Sequence, residues 1–359
     1  MERLTRRGLL ASIPWLSLHA ASERGRVLPA EGRRYSDPAT EFPVEIFTDP
    51  RYTSVLPYPY SRAIGRKGSF FIFASDRGSG MQAFRYELRG GEIRQITAAE
   101  ALAPSTLNIL PDDKLCAYID GRSLRVAHLS NFHEREVYRI PDGWELGEGF
   151  SVAGDGVYSV LVEKQGAKSR LRLIGMAKGN VTTLVEHEGV IRHPIPRPRR
   201  ASVLYQRDDS LCMVHYDGQN DRKLTTVISS AGAAEWTPDG RTALYLQAKE
   251  KAITMREVTP DTQQDKLFSP TSQYINFSQN RDGSVIVAAS GSLASPYVLI
   301  MLRSVKRELT VCEHKASKPA MVAPIFSPTS QRIYFQSDRH GKPAIYSVVV
   351  DKFIEKTES

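Results

Sequence analysis

The run from Arg192 to Arg200 is the densest cluster of side chains that could recognise a ligand. It reads Arg-His-Pro-Ile-Pro-Arg-Pro-Arg-Arg, which places four guanidinium groups and one imidazole within nine residues. Proline favours an extended backbone, and arginine binds carboxylates or phosphates through two parallel hydrogen bonds. The cluster therefore predicts a site for an anionic partner. The alternative is a solvated loop between two strands.

Other residue patterns narrow the chemistry further. The eight histidines contain no His-x-His or His-x-x-x-His pair, so a metal site would need ligands that are distant in the sequence. The sequence has no Gly-x-Ser-x-Gly, Gly-x-x-x-x-Gly-Lys-Ser/Thr or Gly-x-Gly-x-x-Gly motif, so nothing supports hydrolase or nucleotide chemistry. Cys116, Cys212 and Cys312 stand about a hundred residues apart, which excludes a disulfide framework and Cys-x-x-Cys metal sites.

The elements that must position these residues repeat along the chain. After residue 45, short runs rich in Val, Ile, Tyr and Phe, bounded by Gly, Pro, Asp and Ser, predict β-strands. Seven strand centres lie at spacings of 45, 43, 44, 41, 41 and 48 residues; they are Ile72, Ala117, Val160, Leu204, Tyr245, Ile286 and Tyr334. A single small sheet cannot bury both of its faces, so similar units pack into a closed ring. The period predicts an all-β, seven-bladed β-propeller of four-stranded blades.

The first residues of the chain carry a different signal. Arg6-Arg7 precedes an apolar run of about thirteen residues that ends in small residues and is too short to cross ~30 Å of hydrocarbon. This pattern is typical of a twin-arginine export signal and predicts a periplasmic or secreted protein; a basic arm is the alternative. We therefore divide the chain into an export signal (1–22), an N-terminal segment (23–45), the propeller (46–353) and a tail (354–359).

The net positive charge is compatible with an anionic partner but does not indicate its chemical class. Lys and Arg number 48 against 40 Asp and Glu, a formal charge of +8 that falls to about +6 without residues 1–22. One short basic cluster is weak beside the basic stripes of nucleic-acid-binding proteins, so we expect no nucleic acid partner. No other stretch is long and apolar enough to predict a membrane span.

Further motifs lie in a fixed order between about residues 33 and 350. They are Tyr35-Ser-Asp-Pro38, Phe47-Thr-Asp-Pro50, Ser75-Asp-Arg77, Gly91-Glu-Ile-Arg-Gln-Ile-Thr97, His193-Pro-Ile-Pro-Arg-Pro198, Glu235-Trp-Thr-Pro-Asp-Gly240, Pro324-Ile-Phe-Ser-Pro328, Phe335-Gln-Ser-Asp-Arg339 and Pro343-Ala-Ile-Tyr346. Ser-Asp-Arg and Pro-Asp-Gly units also occur in Tol-system periplasmic propellers, but the ordered set resembles the oligogalacturonate lyase family. The resemblance implies a seven-bladed propeller that cleaves short galacturonides by β-elimination. In that family a divalent metal, usually Mn²⁺, neutralises the uronate carboxylate, a histidine removes the C5 proton and an arginine supports the site.

The family's machinery falls on residues of other types in this chain. The places of the base histidine, the four metal ligands and the supporting arginine fall, in that order, at Ala233, Asn276, Lys318, Met321, Ala323 and near Ser210. Lysine, methionine and alanine are not manganese ligands. We therefore predict no metal ligands and no cofactor, and the catalytic residues stay unassigned.

Five residues remain as candidates for substrate binding. His193 and Arg197 keep their family context, and Arg207 and Trp236 lie nearby in the repeat. Lys318 would supply a positive charge where the metal sits in the family. The alternatives are an ordinary strand-end arginine for Arg207, a core tryptophan for Trp236 and a solvated surface lysine for Lys318.

Three functional hypotheses follow. The first is an oligogalacturonate-lyase-like propeller that binds an acidic oligosaccharide from pectin breakdown and has lost metal-dependent elimination. The second keeps that substrate and uses a metal-free elimination, with Lys318, His193 or Arg197 in supporting roles. The third is a Tol-like periplasmic propeller that holds a protein partner in its channel and catalyses nothing.

Overall fold

A computed structural model describes residues 23–225, 234–249 and 252–351. Within these ranges the chain forms thirty strands and two 3₁₀ turns, η1 (Pro104–Thr106) and η2 (Pro319–Met321). The strands are β1 (Val27–Leu28), β2 (Arg33–Ser36), β3 (Pro43–Ile46), β4 (Ser54–Val55), β5 (Phe70–Gly78), β6 (Gly80–Glu87), β7 (Ile93–Gln95), β8 (Asn108–Ile109), β9 (Leu115–Asp120), β10 (Ser123–His128), β11 (Glu134–Arg139), β12 (Glu145–Val152), β13 (Tyr158–Gln165), β14 (Lys168–Gly175), β15 (Val181–Glu188), β16 (Ile191–Pro196), β17 (Ser202–Arg207), β18 (Ser210–His215), β19 (Arg222–Lys223), β20 (Glu235–Trp236), β21 (Ala243–Lys249), β22 (Ala252–Thr259), β23 (Gln264–Pro270), β24 (Tyr274–Gln279), β25 (Val285–Ser290), β26 (Tyr297–Leu302), β27 (Arg307–Glu313), β28 (Ile325–Phe326), β29 (Arg332–Ser337) and β30 (Ala344–Val349).

The strands form seven antiparallel blades, which confirms the predicted propeller. In chain order the blades are β4–β7, β8–β11, β12–β15, β16–β19, β20–β23, β24–β27 and β28–β30. A single parallel bridge between Glu148 and Arg192 joins the third blade to the fourth. Every strand centre predicted from the repeat lies in the second strand of its blade and is buried.

The two ends of the chain close the ring. Strand β3 pairs with β30, in a register that sets Val44 opposite Val348, and β2 pairs with β3. Strand β1 extends the first blade by pairing with β7. The sequence analysis treated residues 23–45 as a segment separate from the propeller. The structure places strands of this segment in the sheets of the first and last blades, because the edge strand β30 of the last blade needs a partner. The predicted export signal (1–22) and tail (354–359) lie outside the described residues.

The core lies between neighbouring blades rather than at one centre. Phe47, which follows β3, packs with Phe71 of the first blade and Tyr334 of the seventh, with ring centroids 5.3–5.7 Å apart. Fully burying such a side chain stabilises the fold by about 1.5–3 kcal/mol, so each interface holds two sheets together. The three cysteines are buried and form no disulfide, which agrees with their wide spacing in the sequence. Within the described ranges, no helix has the length and apolarity that crossing a bilayer requires.

Candidate functional site

The first strands of the blades line a channel with two distinct mouths. Strand β24 shows its direction: Asn276 lies at one mouth, and Gln279, three residues later, lies at the other. We call the mouth beside Asn276 the His193 face and the other the Arg66 face, after a residue of each. All blades run the same way, so residues near the start of each first strand gather at the His193 face.

The His193 face opens into a cavity of about 390 Å³, which we call the His193 pocket. Its lining residues come from the first, second, fourth, sixth and seventh blades and are largely apolar. They are Val55, Leu56, Pro57, Tyr58, Pro59, Pro104, Ser105, His193, Asn276, Ala320, Met321, Ala323 and Gln336. The volume falls within the range of ~300–1,000 Å³ that is usual for small-molecule sites. None of these lining residues carries a formal charge apart from the titratable His193.

A local irregularity in β16 directs His193 into this pocket. The register of β16 against β17 shifts between Arg192 and Ile195, and His193 has a positive φ of 48°. On the neighbouring blade, a Cβ on Gly149 would overlap the Pro194 ring, so only glycine lets the two blades approach here. The Ser151 hydroxyl donates a 2.6 Å hydrogen bond to the Pro194 carbonyl and fixes the irregularity.

His193 is a neutral imidazole within an aromatic group. Burial, together with the neighbouring Arg192 guanidinium, lowers its pKa to about 4. Its ring meets Tyr58 and Tyr60 edge-on, at centroid distances of 5.5 and 6.0 Å, and the two tyrosines stack on each other. Nδ1 lies 3.4 Å from the Tyr60 hydroxyl. At neutral pH the imidazole therefore hydrogen-bonds without bringing a positive charge.

Three of the places that the resemblance gives to metal ligands meet in the His193 pocket. Asn276, Met321 and Ala323 all line it, whereas Lys318 is exposed just before η2 and is not among the lining residues. The place of the base histidine, Ala233, lies outside the described residues. Of the three side chains that meet, only Asn276 offers an oxygen, and Mn²⁺ prefers several oxygen or imidazole ligands. This donor set does not fit the metal.

The pattern of hydrogen bonds around Asn276 leaves one polar atom without a partner. Its Nδ2 donates to the Ala320 carbonyl at 3.0 Å, while its Oδ1 has no partner in the described structure. Both polar atoms of the nearby Gln336 side chain have a partner: Oε1 accepts from the Leu56 amide at 2.8 Å, and Nε2 donates to the Met321 carbonyl at 2.9 Å. Asn276 is only 7% exposed, so its free oxygen points to a missing donor.

The structure places Arg197 away from this pocket. The residue is 4% exposed near the Arg66 face, and its guanidinium forms a two-fold ion pair with Asp261, at 2.9 and 3.0 Å. Its Nε donates to the Gly240 carbonyl at 2.7 Å. Protein acceptors therefore already hold the guanidinium that we predicted for substrate binding, and it ties the fourth blade to the fifth.

Trp236 and Arg207 also lie apart from His193. The Trp236 indole is 5% exposed, donates to the Ile195 carbonyl at 3.1 Å and packs 5.0 Å from the Arg197 guanidinium. Arg207 ends β17, on the second strand of its blade, and its Nη1 lies 2.6 Å from Asp221. Of the five predicted substrate-binding residues, the structure brings only His193 into the pocket.

Two adjoining cavities of about 310 and 590 Å³ occupy the Arg66 face. Arg66, Glu235 and Trp236 line both, and the other lining residues come from all the remaining blades. Burial raises the pKa of Glu235 to about 8, against the opposing effect of a 3.4 Å hydrogen bond from Gln279. Among the described residues no lysine or arginine forms an ion pair with this carboxyl. The channel thus holds an acidic group that is protonated at neutral pH.

The chain is similar to known proteins over nearly its whole length. It is 22% identical to the oligogalacturonide lyase of Pectobacterium atrosepticum over 380 aligned residues, covering 90% of this chain and 97% of the relative. The oligogalacturonate lyase of Dickeya dadantii matches with the same identity and coverage. The chain is a divergent relative of the oligogalacturonate lyases. No protein-family model matches it.

Solved structures of oligogalacturonate lyases share the same ring. One, in complex with manganese, superposes with a TM-score of 0.86 at 22% identity, covering 93% of this chain and 100% of that chain. Another, from Vibrio parahaemolyticus, gives a TM-score of 0.84 at 20% identity, covering 91% and 98%. These matches confirm the resemblance that the ordered motifs indicated, and they establish the fold.

Sequence reasoning missed several residues of the channel. Tyr58 and Tyr60 line the two mouths, and the only signal was the proline-flanked run Leu56-Pro-Tyr-Pro-Tyr60, which favours an extended segment with exposed rings. Asn276 was considered only as a place for a metal ligand. Glu235 gave no signal, because its raised pKa depends on a burial that only the closed ring creates.

Proposed function

We propose that this oligogalacturonate lyase relative binds galacturonide oligosaccharides in the His193 pocket and does not carry out a manganese-assisted elimination there. The observation that supports the proposal is the convergence of Asn276, Met321 and Ala323 on one cavity of the channel. A small-molecule pocket stands where the relatives' metal chemistry would be centred. Its side chains, however, cannot supply the ligands that chemistry needs.

The roles of this chain's residues follow from their contacts. The Tyr58 ring lines the pocket and provides an apolar face for a sugar ring. His193 adds a neutral ring nitrogen that accepts or donates according to its tautomer. These groups orient a carbohydrate without stabilising charge at its C5 carbon.

Calorimetry and a lyase assay test the two halves of the proposal separately. Purified protein is titrated with trigalacturonate and with its methyl ester, and we expect binding heat with at least one of them. The same sugars are incubated with and without Mn²⁺ while the ultraviolet absorbance of unsaturated product is followed, with the Dickeya dadantii enzyme as the positive control. Heat with neither sugar would contradict binding, and Mn²⁺-stimulated product would contradict the loss of the metal-assisted reaction.

We also propose that the protein acts outside the cytoplasm. Arg6-Arg7 followed by a short apolar run supports export by the twin-arginine route. A fusion of residues 1–22 to a fluorescent reporter should reach the periplasm, and the same fusion with both arginines replaced by lysine should stay in the cytoplasm. Equal distribution of the two fusions would contradict the proposal.

A further inference from the structure

The lining of the His193 pocket bears on the charge that a ligand can carry, and the inference drawn from it rests on the proposed function. The lining described above is apolar apart from two amides, one hydroxyl, one tyrosine and a neutral imidazole. A galacturonide unit exists either as a carboxylate or, when esterified, as an uncharged sugar. The two forms of a unit differ only in the charge of one carboxyl group, so the relative affinity of the pocket for them depends on its electrostatics.

Among the described residues, no lysine or arginine lines the pocket. Arg192 adjoins His193 in the chain, but its Nε lies 3.5 Å from Glu148, and Lys318 is exposed outside the lining. The stretch 226–233, which is not described, contains no charged residue in its sequence. Transferring an unpaired carboxylate from water into an apolar cavity carries a large penalty unless a cation or several donors compensate for it.

The walls of the pocket suit an uncharged ligand. Asn276 lines the cavity with its Nδ2 held against the Ala320 carbonyl, and its Oδ1 is buried. The ester methyl group fits against side chains such as Leu56 and Met321. A carboxylate in the same place would lie against these apolar side chains with its charge unpaired.

We infer that the His193 pocket recognises galacturonides whose carboxyl groups are esterified, in preference to the free acids. The described lining residues include neither a suitable set of metal ligands nor a lysine or arginine, so they do not offset the charge of a carboxylate. In the manganese-dependent relatives, a metal would offset the carboxylate charge, whereas an ester has no charge to offset. The apolar walls match the uncharged form.

The decisive experiment compares trigalacturonate with its trimethyl ester by calorimetry at neutral pH. We expect the ester to bind at least about tenfold more tightly than the free acid. Equal or tighter binding of the free acid would overturn the inference while leaving the proposed function intact. Binding of neither sugar would mean that the proposed function itself fails, so the two failures are distinguishable.

A charge variant tests the cause of the preference. Met321→Lys adds a cation to the pocket, so the affinity ratio of ester to acid should fall by about tenfold or reverse. Leu267→Lys adds the same charge on β23, where the side chain is 56% exposed, and should leave the ratio unchanged. An unchanged ratio in folded Met321→Lys would contradict the inference.

A second variant places the ligand. Met321→Trp fills part of the pocket with a larger side chain, so both sugars should lose about tenfold in affinity while circular dichroism shows an intact fold. Full affinity in this variant would show that the sugars bind elsewhere and would overturn the assignment.

Discussion

At the scale of single residues, two arginines from the same basic run have different roles. Arg197 is buried between Asp261, Gly240 and Trp236, whereas Arg200 reaches the same Asp261 with a guanidinium that is 57% exposed. Replacing Arg197 by methionine keeps the stem and removes hydrogen bonds to a charged group, so the free energy of unfolding should fall by about 2 kcal/mol. Urea denaturation measures this change.

The matched variant Arg200→Met supplies the control for Arg197. Exposed ion pairs contribute little, so this change should alter the free energy of unfolding by less than about 1 kcal/mol. Both variants should keep their affinity for the preferred sugar within about twofold, which corresponds to less than 0.5 kcal/mol. A loss of sugar affinity in Arg197→Met, but not in Arg200→Met, would show that Arg197 takes part in sugar binding.

Glu235 makes stability depend on pH. Its carboxyl has a pKa of about 8 in the folded chain and about 4.3 when unfolded, so between these values the folded state holds a proton that the unfolded state has released. The free energy of unfolding contributed by this group is therefore fully present below about pH 4 and falls as pH rises through 8. Glu235→Gln has no such proton and should be more stable than the original protein by about 1–3 kcal/mol above pH 8.

Denaturation of both proteins across this pH range isolates the Glu235 effect, because all other titrating groups cancel in the difference. Glu100→Gln, at an exposed position, is the control for removing a carboxyl group from the surface. Parallel stability curves for Glu235→Gln and the original protein would show that this carboxyl is not buried in solution.

At the scale of elements, the ring depends on a strand that the repeat does not reveal. The buried second strands recur about every forty-four residues and could be predicted from the sequence, since each is an apolar run bounded by turn residues. Strand β3 has only four residues, and its partner β30 lies about three hundred positions away. Periodicity detects strands but does not show which distant edges pair.

The contribution of β3 can be measured by one truncation. Ile46 is 2% exposed and packs in the core beside the seventh blade, so Ile46→Ala should lower the free energy of unfolding by about 2–4 kcal/mol. Val27, in β1, is 50% exposed, and Val27→Ala should change it by less than about 0.5 kcal/mol. Equal effects would mean that β3 does not close the ring.

The site was less predictable than the fold for a related reason. His193 could be singled out because an ordered motif marks it, and it does enter the pocket. Arg197 belongs to the same motif, but four residues of extended chain carry it to the opposite mouth, a separation that a one-dimensional pattern does not show. Asn276 and Glu235 acquire their properties only from burial between blades.

At the scale of the whole molecule, the ring is shared with the oligogalacturonate lyases, and the difference that we propose lies in the side chains of the channel. The ring superposes on a manganese-bound oligogalacturonate lyase with a TM-score of 0.86, and Asn276, Met321 and Ala323 converge on one cavity. Ala323 has a positive φ of 39°, a region in which histidine occurs more often than most residues. The scaffold should therefore accept three histidines at these positions without refolding.

The triple variant Asn276→His, Met321→His, Ala323→His should bind Mn²⁺, because three imidazoles around one cavity form a suitable ligand set. Binding to the folded state alone raises the free energy of unfolding by about 2.7 kcal/mol when Mn²⁺ is at 100 times Kd, so thermal denaturation should show a higher Tm with Mn²⁺. The original protein should show no such rise. The double variant that retains Asn276 should show a smaller one, since each lost ligand weakens the site. If Mn²⁺ raised the Tm equally in all three proteins, the ion would bind outside the His193 pocket. The proposed difference in metal binding between this protein and the lyases would then not lie in the side chains of that pocket.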